Sequence, residues 1–393
     1  MRIGIILYPT YGGSGVVATE LGVALAMRGH EVHFFSTSRP FRLPAFQQNT
    51  YFHEVPVVGY DLFENTPYTL TLSSTLFDAF KMYKLDVLHA HYAIPHATAA
   101  YLAREMNGGL PPVITTLHGT DITLVGAHPA YAPVVKFTLE QSNAVTAVSH
   151  DLARETCANI HYCGEIQVIY NFIDTELYKR DMCVQRRDWL APADEPIILH
   201  ISNFRPVKRI PDIIAAFANV RKQVKAKLVL VGDGPARSNA EIEVRRLGLQ
   251  ADVRFMGKQT GLIDLLSVGD IYLLPSNKES FGLSALEAMS CEMPVVGYDV
   301  GGLPEVVVKG ETGFLHPVGD VEGLTASILQ LVKDKDMRLE MGQAGRRRCQ
   351  EIFHIDQIIP QYEKLYLETL HATEAACLGK ASPPSSLSKS AAT

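Results

Sequence analysis

The chain has 393 residues, 36 basic and 42 acidic side chains, a net charge of −6 and a hydrophobic content of 47%. Because single hydrophobic cores stop growing at roughly 250–300 residues, this length predicts two domains. The mild acidity argues against a dedicated nucleic-acid-binding protein, and no apolar run approaches the ~18 residues that a membrane-spanning helix needs. The six cysteines include no Cys-x-x-Cys pair, so we expect reduced thiols and a cytoplasmic location.

Short apolar runs alternate with amphipathic segments along the first half of the chain. An apolar run without alternation is typical of a parallel strand buried on both faces, and the segments between such runs show helical spacing. Helices are predicted at 17–28, ending before Gly29, and at 98–106. This order predicts a doubly wound parallel sheet. Its predicted strands lie at 3–7, 32–35, 87–90, 113–117, 144–147 and 167–169.

The same alternation restarts near residue 190, after an irregular and charged stretch at 172–196. Here the predicted strands lie at 197–201, 227–231, 253–256, 271–274 and 295–297, with a helix at 210–223. We therefore expect two α/β domains and, from the small and polar composition of the chain end, a disordered tail. The predicted boundaries are 1–172, 173–355, a C-terminal helix at 356–377 that packs back on the first domain, and the tail at 378–393.

A glycine-rich loop joins the first predicted strand to the first helix. Gly13, Gly15 and Ala18 fit the pattern G-x-G-x-x-A, in which glycines let the backbone approach a phosphate at a helix N-terminus. A nicotinamide site also needs an acidic residue after the second strand, whereas 36–39 contains none and offers only Arg39 for a 2′-phosphate. The pattern favours contact with a phosphate or a sugar nucleotide, and a nicotinamide site or a turn without a ligand stays as an alternative.

The segment 275–289 carries the strongest functional signal in the second half. Glu279 lies in the loop after a predicted strand, and Glu287 follows eight residues later on the next helix. The start of that helix offers the unpaired amides of Phe281, Gly282 and Leu283 to an anion. One element could therefore bind a hexose through Glu279, a diphosphate through the amides and a ribose through Glu287. The alternative is two surface glutamates beside an ordinary helix.

This segment resembles the E-x7-E motif of the retaining glycosyltransferases of family 4. The resemblance covers roughly residues 1–370 and implies the GT-B fold, in which two Rossmann-like parallel-sheet domains of the α/β class face a central cleft. Further matching stretches are Val-Gly-Asp-Gly-Pro at 231–235, Val-Arg-Phe-Met-Gly at 253–257, Gly-Gly-Leu-Pro-Glu at 301–305 and Gly-Phe-Leu at 313–315.

Within this family, the chain is most similar to members that transfer N-acetylglucosamine from UDP-GlcNAc to the 2-hydroxyl of L-malate, the first step of bacillithiol synthesis. The matching stretches are residues 8–15, 86–96, 115–123, 169–174 and 203–209. The resemblance implies UDP-GlcNAc and L-malate as small-molecule substrates. Because the sequence shows no clear carboxylate nucleophile for a double displacement, we expect front-side displacement at the sugar. From the composition we expect no nucleic-acid partner and no stable membrane insertion. The resemblance leaves a homo-oligomer open. The alternatives are another family 4 acceptor (inositol phosphate, a lipid or a glycan), an NADP-dependent oxidoreductase and a non-catalytic sugar-nucleotide-binding protein.

The resemblance also implies roles for individual residues. The expected catalytic residues are His118, Arg205, Lys208 and Glu279. The expected donor contacts are Gly13, Gly15, Asn203, Arg205, Lys208, Gly257, Glu279, Phe281, Gly282, Leu283 and Glu287. The expected acceptor contacts are Ser14, Tyr92, Thr116, His118, Thr120 and Asn171.

One position departs from the family pattern. An arginine usually stands five residues before the lysine, where this chain has Asn203, and we expect Arg205 to supply the missing guanidinium. Arg205 and Lys208 could alternatively be solvated surface cations, and His118 a packed structural histidine; His89 and His91 are more typical of structural residues. No cofactor and no essential metal is expected, although a divalent ion stays compatible with the sequence.

Overall fold

The computed structural model describes residues 1–10, 12–59, 66–123, 125–181 and 184–380. Tyr11 of the glycine loop lies outside the described residues, and so does the predicted tail from 381 onward. The chain folds around two parallel sheets, which confirms the predicted α/β class with two doubly wound domains.

The first sheet has seven strands in the order β3-β2-β1-β4-β5-β6-β7. Its strands are β1 (Arg2–Ile6), β2 (Glu31–Ser36), β3 (Thr50–Glu54), β4 (Val87–His91), β5 (Val113–Leu117), β6 (Ala144–Ala147) and β7 (Gln167–Val168). Its helices are α1 (Gly13–Met27), α2 (Tyr68–Tyr83), α3 (Thr98–Met106), α4 (Thr120–Thr123), α5 (Ala132–Gln141) and α6 (His150–Ile160), with a π-helical turn at Ala93–Ala97. The strand order reverses at β1, so the loops after β1 and β4 open a crevice at the carboxyl edge.

The second sheet has six strands in the order β10-β9-β8-β11-β12-β13. Its strands are β8 (Ile197–Ile201), β9 (Lys227–Val231), β10 (Val253–Gly257), β11 (Ile271–Leu274), β12 (Val295–Tyr298) and β13 (Gly313–His316). The helices are α7 (Val184–Leu190), α8 (Ile210–Arg221), α9 (Arg237–Arg246), α10 (Leu262–Leu266), α11 (Leu283–Ser290), α12 (Leu303–Val306), α13 (Val321–Lys333), α14 (Lys335–Ile352) and α15 (Ile355–Lys380), with a 3-10 turn at Pro206–Lys208. Here the order reverses at β8, between the loops after β8 and β11.

Two strands, β3 and β13, are not predicted by the apolar pattern of the sequence. Both lie at a sheet edge, where a strand is covered on fewer sides and its sequence need not be uniformly apolar. β3 reads Thr-Tyr-Phe-His-Glu and has no fully buried residue, whereas β5 is buried throughout. The buried central strands, by contrast, lie where their apolar runs predict them.

The long helix α15 follows the second domain in sequence but packs on the first. Ile358, Tyr362 and Tyr366 join the same buried cluster as Ile3 of β1 and Leu21 of α1. Glu363 accepts two hydrogen bonds of 2.9 Å from Arg28 at the end of α1. The chain therefore crosses between the domains twice, which ties the two sheets together. Residues 378–380 of the predicted tail are still helical.

Candidate active site

The second-domain edge of the crevice brings two predicted catalytic side chains together. Lys208 follows β8 and Glu279 follows β11, the two strands that flank the reversal of strand order. The Lys208 ammonium donates to Glu279 Oε2 at 2.7 Å, and both side chains are largely buried. The Asn277 amide also donates to the Val207 carbonyl at 2.8 Å, which fixes one loop against the other.

The glycine pair after β12 supports the backbone of Glu279. Gly301 has a φ of +57°, and a Cβ at this position would lie 2.0 Å from the Glu279 carbonyl oxygen. The same oxygen accepts a hydrogen bond from the Gly302 amide at 2.9 Å. Only glycine permits this close approach without strain, so the stretch at 301–305 orients the Glu279 loop.

The N-terminus of α11 is free to receive an anion. Gly282 precedes it with a φ of +97° and no side-chain cap, and within the described residues the amides of Phe281, Gly282 and Leu283 donate to no acceptor. Phe281 is buried against Tyr170 and Phe353, which anchors the loop. The helix dipole adds partial positive charge at these amides.

Glu287, one turn further along α11, is 5% exposed. Its Oε1 accepts hydrogen bonds from Arg42 of the first domain at 3.1 Å and from the Tyr178 hydroxyl at 3.2 Å. Neither partner is predicted from the sequence, because neither lies in a motif around the E-x7-E segment. Their approach to Glu287 is a consequence of how the two domains dock.

The remaining predicted donor residues lie around this edge with fewer contacts. Asn203 and Arg205 are exposed in the loop after β8, and Arg205 makes no ion pair with any described residue. Gly257 ends β10 with a φ of +65°. These three positions are accessible from the carboxyl edge of the sheet, and their roles stay predictions.

The glycine loop of the first domain faces the start of α11. A Cβ on Gly13 would contact Leu283 at 3.6 Å, which places this loop opposite the anion-receptive amides. A Cβ on Gly15 would lie 2.6 Å from the Tyr8 carbonyl oxygen, so this glycine is needed for the tight turn itself. Both glycines thus lie at the crevice, Gly13 toward the second domain and Gly15 within the first.

Four predicted acceptor contacts cluster beside that loop. The Ser14 hydroxyl donates to the Tyr92 hydroxyl at 2.9 Å, and Thr120 shares the same phenol. The rings of Tyr92 and His118 lie 5.4 Å apart. Tyr92 has a φ of +93°, a conformation that is costly for a tyrosine and that often accompanies functional sites.

His118 is paired with His91 rather than with a charged group. The His118 Nε2 and His91 Nδ1 atoms are 2.8 Å apart. Burial lowers the pKa of His118 to about 3, and burial together with His89 and His118 lowers the pKa of His91 well below its ordinary value. Both imidazoles are therefore neutral at pH 7, so His118 can offer a hydrogen bond but no positive charge.

Asp121 organises the loop that carries His118. Its carboxylate accepts hydrogen bonds from the Gly119 amide at 2.9 Å and from the Ala93 amide at 3.1 Å. Burial raises the pKa of Asp121 to about 6, although these amides partly oppose the shift. The sequence patterns assign no role to Asp121 beyond its place in the matching stretch at 115–123. An acid three residues after a histidine in a strand-end loop is a signal that could have identified it.

Two predicted acceptor contacts have different surroundings. Thr116 is fully buried, and its hydroxyl lies 2.6 Å from both His89 Nε2 and Thr146 Oγ1. It therefore supports the floor of the site, and a direct contact with the acceptor is not favoured. Asn171 is 6% exposed, and its Oδ1 has no hydrogen-bond partner among the described residues. Such an atom is available to a ligand donor.

The two edges meet at Gly119 and Ser280. Gly119 has a φ of +110°, and a Cβ there would lie 1.7 Å from the Ser280 Oγ. Ser149 of the first domain also donates to the Ser280 carbonyl at 2.7 Å. The loop of His118 is thus in contact with the loop of Glu279. A single crevice contains the neutral residues of the first domain and the charged residues of the second.

Comparisons with known proteins identify the family of the chain. The model for Glycosyltransferase Family 4 matches residues 11–177, and the model for Glycosyl transferases group 1 matches residues 182–348. A Bacillus anthracis protein named N-acetyl-alpha-D-glucosaminyl L-malate synthase is 47% identical over 371 residues, which cover 94% of this chain and 97% of the relative. The chain belongs to glycosyltransferase family 4. A glycogen synthase of Mycobacterium tuberculosis is a more distant relative, 27% identical over 91% of each chain.

Solved structures support the GT-B fold of this family 4 glycosyltransferase. A sucrose-phosphate synthase from Thermosynechococcus elongatus has a TM-score of 0.79 at 25% identity, over 95% of this chain and 100% of the other. The Anabaena protein HepE in complex with UDP and glucose has a TM-score of 0.79 at 21% identity, over 93% and 99% of the two chains. Both contain the same two-sheet architecture.

No group of three or more histidine, cysteine, aspartate or glutamate side chains in the described part of the chain is arranged to hold a metal ion. Among the helices of residues 1–380 that the structure describes, none combines the length and apolar character needed to cross a membrane.

Proposed function

We propose that this chain transfers N-acetylglucosamine from UDP-N-acetylglucosamine to the 2-hydroxyl of L-malate and releases UDP. The observation that supports this most directly is the 47% identity, over 94% of the chain, to a relative named for that synthesis. The geometry of the crevice is consistent with the proposal, because it offers positive charge on one side and neutral hydrogen-bonding groups on the other.

The second-domain edge would receive the donor. The bond between the anomeric carbon and the β-phosphate oxygen breaks, so negative charge accumulates on the diphosphate as UDP departs. Lys208, Arg205 and the α11 amides would stabilise that charge. Glu279 would accept hydroxyl hydrogens of the hexose, and Glu287 those of the ribose. The backbone near 255–259 is the proposed contact for uracil.

The first-domain edge would receive the acceptor. The oxygen of the malate 2-hydroxyl forms the new bond to the anomeric carbon on the face that the phosphate is leaving. Its proton passes to the departing β-phosphate oxygen, which balances the reaction and retains the α configuration. Ser14, Tyr92 and Thr120 would orient malate, and His118 would hydrogen-bond the sugar.

We infer that both substrates are small molecules of the cytoplasm and that no metal is required, because Lys208, Arg205 and the helix amides can supply the positive charge. A test incubates the protein with UDP-GlcNAc and, separately, with L-malate, an inositol phosphate or glucose, with and without EDTA. We expect UDP release with L-malate, resistance to EDTA, and an α-linked product by proton NMR. UDP release only with another acceptor would contradict the proposed acceptor, and hydride transfer to a nicotinamide would contradict the reaction class.

A further inference from the structure

Arg42 links the first domain to the glutamate of the proposed ribose site. It lies in the loop between β2 and β3, and its guanidinium contacts Glu20 of α1 through Nη1 and Glu287 of α11 through Nη2. The neighbouring Leu43 packs in the first-domain core, which holds this loop to its own domain. One side chain therefore bridges two carboxylates that belong to different domains.

The surroundings of this bridge make its geometry specific. The side chains of Arg42, Glu20 and Glu287 are 18%, 24% and 6% exposed. The guanidinium also lies over the ring of Tyr178, 5.8 Å from its centroid. Two carboxylates at such a site repel each other unless a cation lies between them, and the planar fork of arginine can serve both at once. Burial raises the pKa of Glu20, and the charge of Glu287 acts in the same direction.

The bridge uses only one oxygen of Glu287. Arg42 and Tyr178 both donate to Oε1, while Oε2 accepts no hydrogen bond from any described residue. A carboxylate held in this way has one oxygen fixed and one available. The available oxygen is the one that a vicinal diol could reach.

We propose that Arg42 is a positioning residue for the donor ribose: it orients Glu287 so that Oε2 accepts the ribose hydroxyls, and it does so only when the first domain is docked on the second. This inference rests on the proposed UDP-sugar donor. Ribose recognition then requires a first-domain residue, although every group expected to contact the nucleotide diphosphate lies on the second domain or at the glycine loop. Opening of the crevice would separate Arg42 from Glu287 and leave Arg42 paired with Glu20.

Calorimetric titration with UDP and with 2′,3′-dideoxy-UDP tests this inference. The wild-type protein should bind the dideoxy analogue at least about tenfold more weakly, because hydrogen bonds to a charged group are lost. Arg42→Gln should weaken UDP binding by about tenfold and bring the two ligands within about threefold of each other, because Glu287 is no longer oriented. Arg39→Gln is the matched control, since Arg39 lies in the same loop and donates to the Pro44 carbonyl within it. The Arg39→Gln variant should keep the wild-type ratio of affinities for UDP and 2′,3′-dideoxy-UDP.

The outcomes separate the inference from the proposed function. A wild-type protein that does not bind UDP contradicts the proposed function. A wild-type protein that binds both ligands equally, or an Arg42→Gln variant that weakens both by the same factor, overturns the role of Arg42, because a merely structural bridge would not distinguish the ribose hydroxyls. If circular dichroism shows that Arg42→Gln is unfolded, Arg42→Lys makes the same comparison. Lysine keeps the charge but cannot serve both carboxylates with a planar fork, so the preference for UDP should shrink there as well.

Discussion

The two sides of the crevice differ in how their functional groups are built and in their charge. On the second domain, Lys208 and Glu279 form a charged pair, and Glu279 and Glu287 belong to one continuous strand-end loop and helix. On the first domain, Ser14, Tyr92 and His118 follow three different strands, β1, β4 and β5, and the histidine is neutral. On the charged side, Glu279 and Glu287 lie on one continuous segment and Lys208 joins Glu279 from another loop, whereas the neutral side is an assembly of three separate segments.

This difference follows the chemistry of the proposed substrates. A diphosphate leaving group needs fixed positive charge, which a cation and a helix N-terminus provide. A sugar and an acceptor hydroxyl need directed hydrogen bonds, which neutral imidazole, hydroxyl and amide groups provide without competing for the diphosphate. If the comparison is correct, the two sides will respond differently to the loss of charge, to a steric block and to acid.

The largest expected effect is the loss of charge on the second-domain side. Lys208→Gln removes the cation that we propose stabilises the leaving diphosphate, so we expect kcat to fall by about 10²–10³-fold. The rate of UDP release in the steady state measures this fall in kcat. Lys278→Gln is the control, because the Lys278 ammonium pairs with Glu155 at 2.7 Å instead of Glu279. If the kcat of Lys208→Gln stays within tenfold of the wild-type value, the leaving diphosphate is stabilised mainly by other groups.

Glu279→Ala sharpens the same comparison. We expect a loss of kcat of similar size, because the hexose loses its proposed carboxylate partner, and no rescue by added azide. An azide-dependent β-linked product would contradict front-side displacement, since it would identify Glu279 as a lost nucleophile.

A steric block between the two sides should have the next largest effect. Gly119→Ala would place a Cβ 1.7 Å from Ser280 Oγ at a φ of +110°, so the loops of His118 and Glu279 would be forced apart. Because a small misplacement of reacting groups is costly, we expect kcat/KM to fall about 100-fold. UDP release again provides the measurement.

Gly29→Ala is the matched control for that block. Gly29 has a φ of +91° and no atom within 4 Å of the added Cβ, so alanine there costs only the left-handed conformation, about 1–2 kcal/mol of stability. Its activity per folded molecule should stay close to that of the wild type. Equal losses in both variants would mean that contact between the loops is unimportant for activity.

The smallest expected effect is a pH dependence of stability that arises mainly on the neutral side. Burial lowers the pKa of His89 to about 3 and that of His96 to about 4 in the folded protein, against about 6.5 when unfolded. The folded state binds fewer protons between these values, so the stabilisation is complete above pH 6.5 and declines as the pH falls. Each of these histidines should lower the free energy of unfolding by about 2 kcal/mol at pH 5 relative to pH 7, because the unfolded state takes up a proton that the folded state does not.

Urea unfolding at pH 7 and pH 5 measures this loss. Asp121 partly offsets this loss of stability, because burial raises its pKa in the folded protein to about 6. Between pH 7 and pH 5 the folded state therefore takes up a proton at Asp121 that the unfolded state does not, which stabilises the folded state by about 1 kcal/mol. His200, with a pKa lowered by burial to about 4, is a counterpart in the second domain. His96→Asn should reduce the difference between the two pH values, and His200→Asn provides the comparison on the charged side. Equal unfolding free energies at pH 7 and pH 5 would contradict neutral buried histidines.

The sequence by itself determined the central strands and the placement of Glu279 and Glu287 on one loop and helix. β5, β8, β9 and β11 follow directly from apolar runs, and the pairing of Glu279 and Glu287 on one element follows from their spacing along a loop and a helix. These features depend on neighbours close in sequence, so burial and local periodicity are enough to predict them.

Only the tertiary structure decided which distant residues meet. The edge strands β3 and β13, the inward direction of Thr116, the contact of Gly119 with Ser280 and the bridge from Arg42 to Glu287 all depend on how segments far apart in the chain pack. A periodicity reports that a side chain is covered, but it does not report what covers it. Residues 42 and 287 carry no shared pattern, and the docking of the two domains alone brings their charges together.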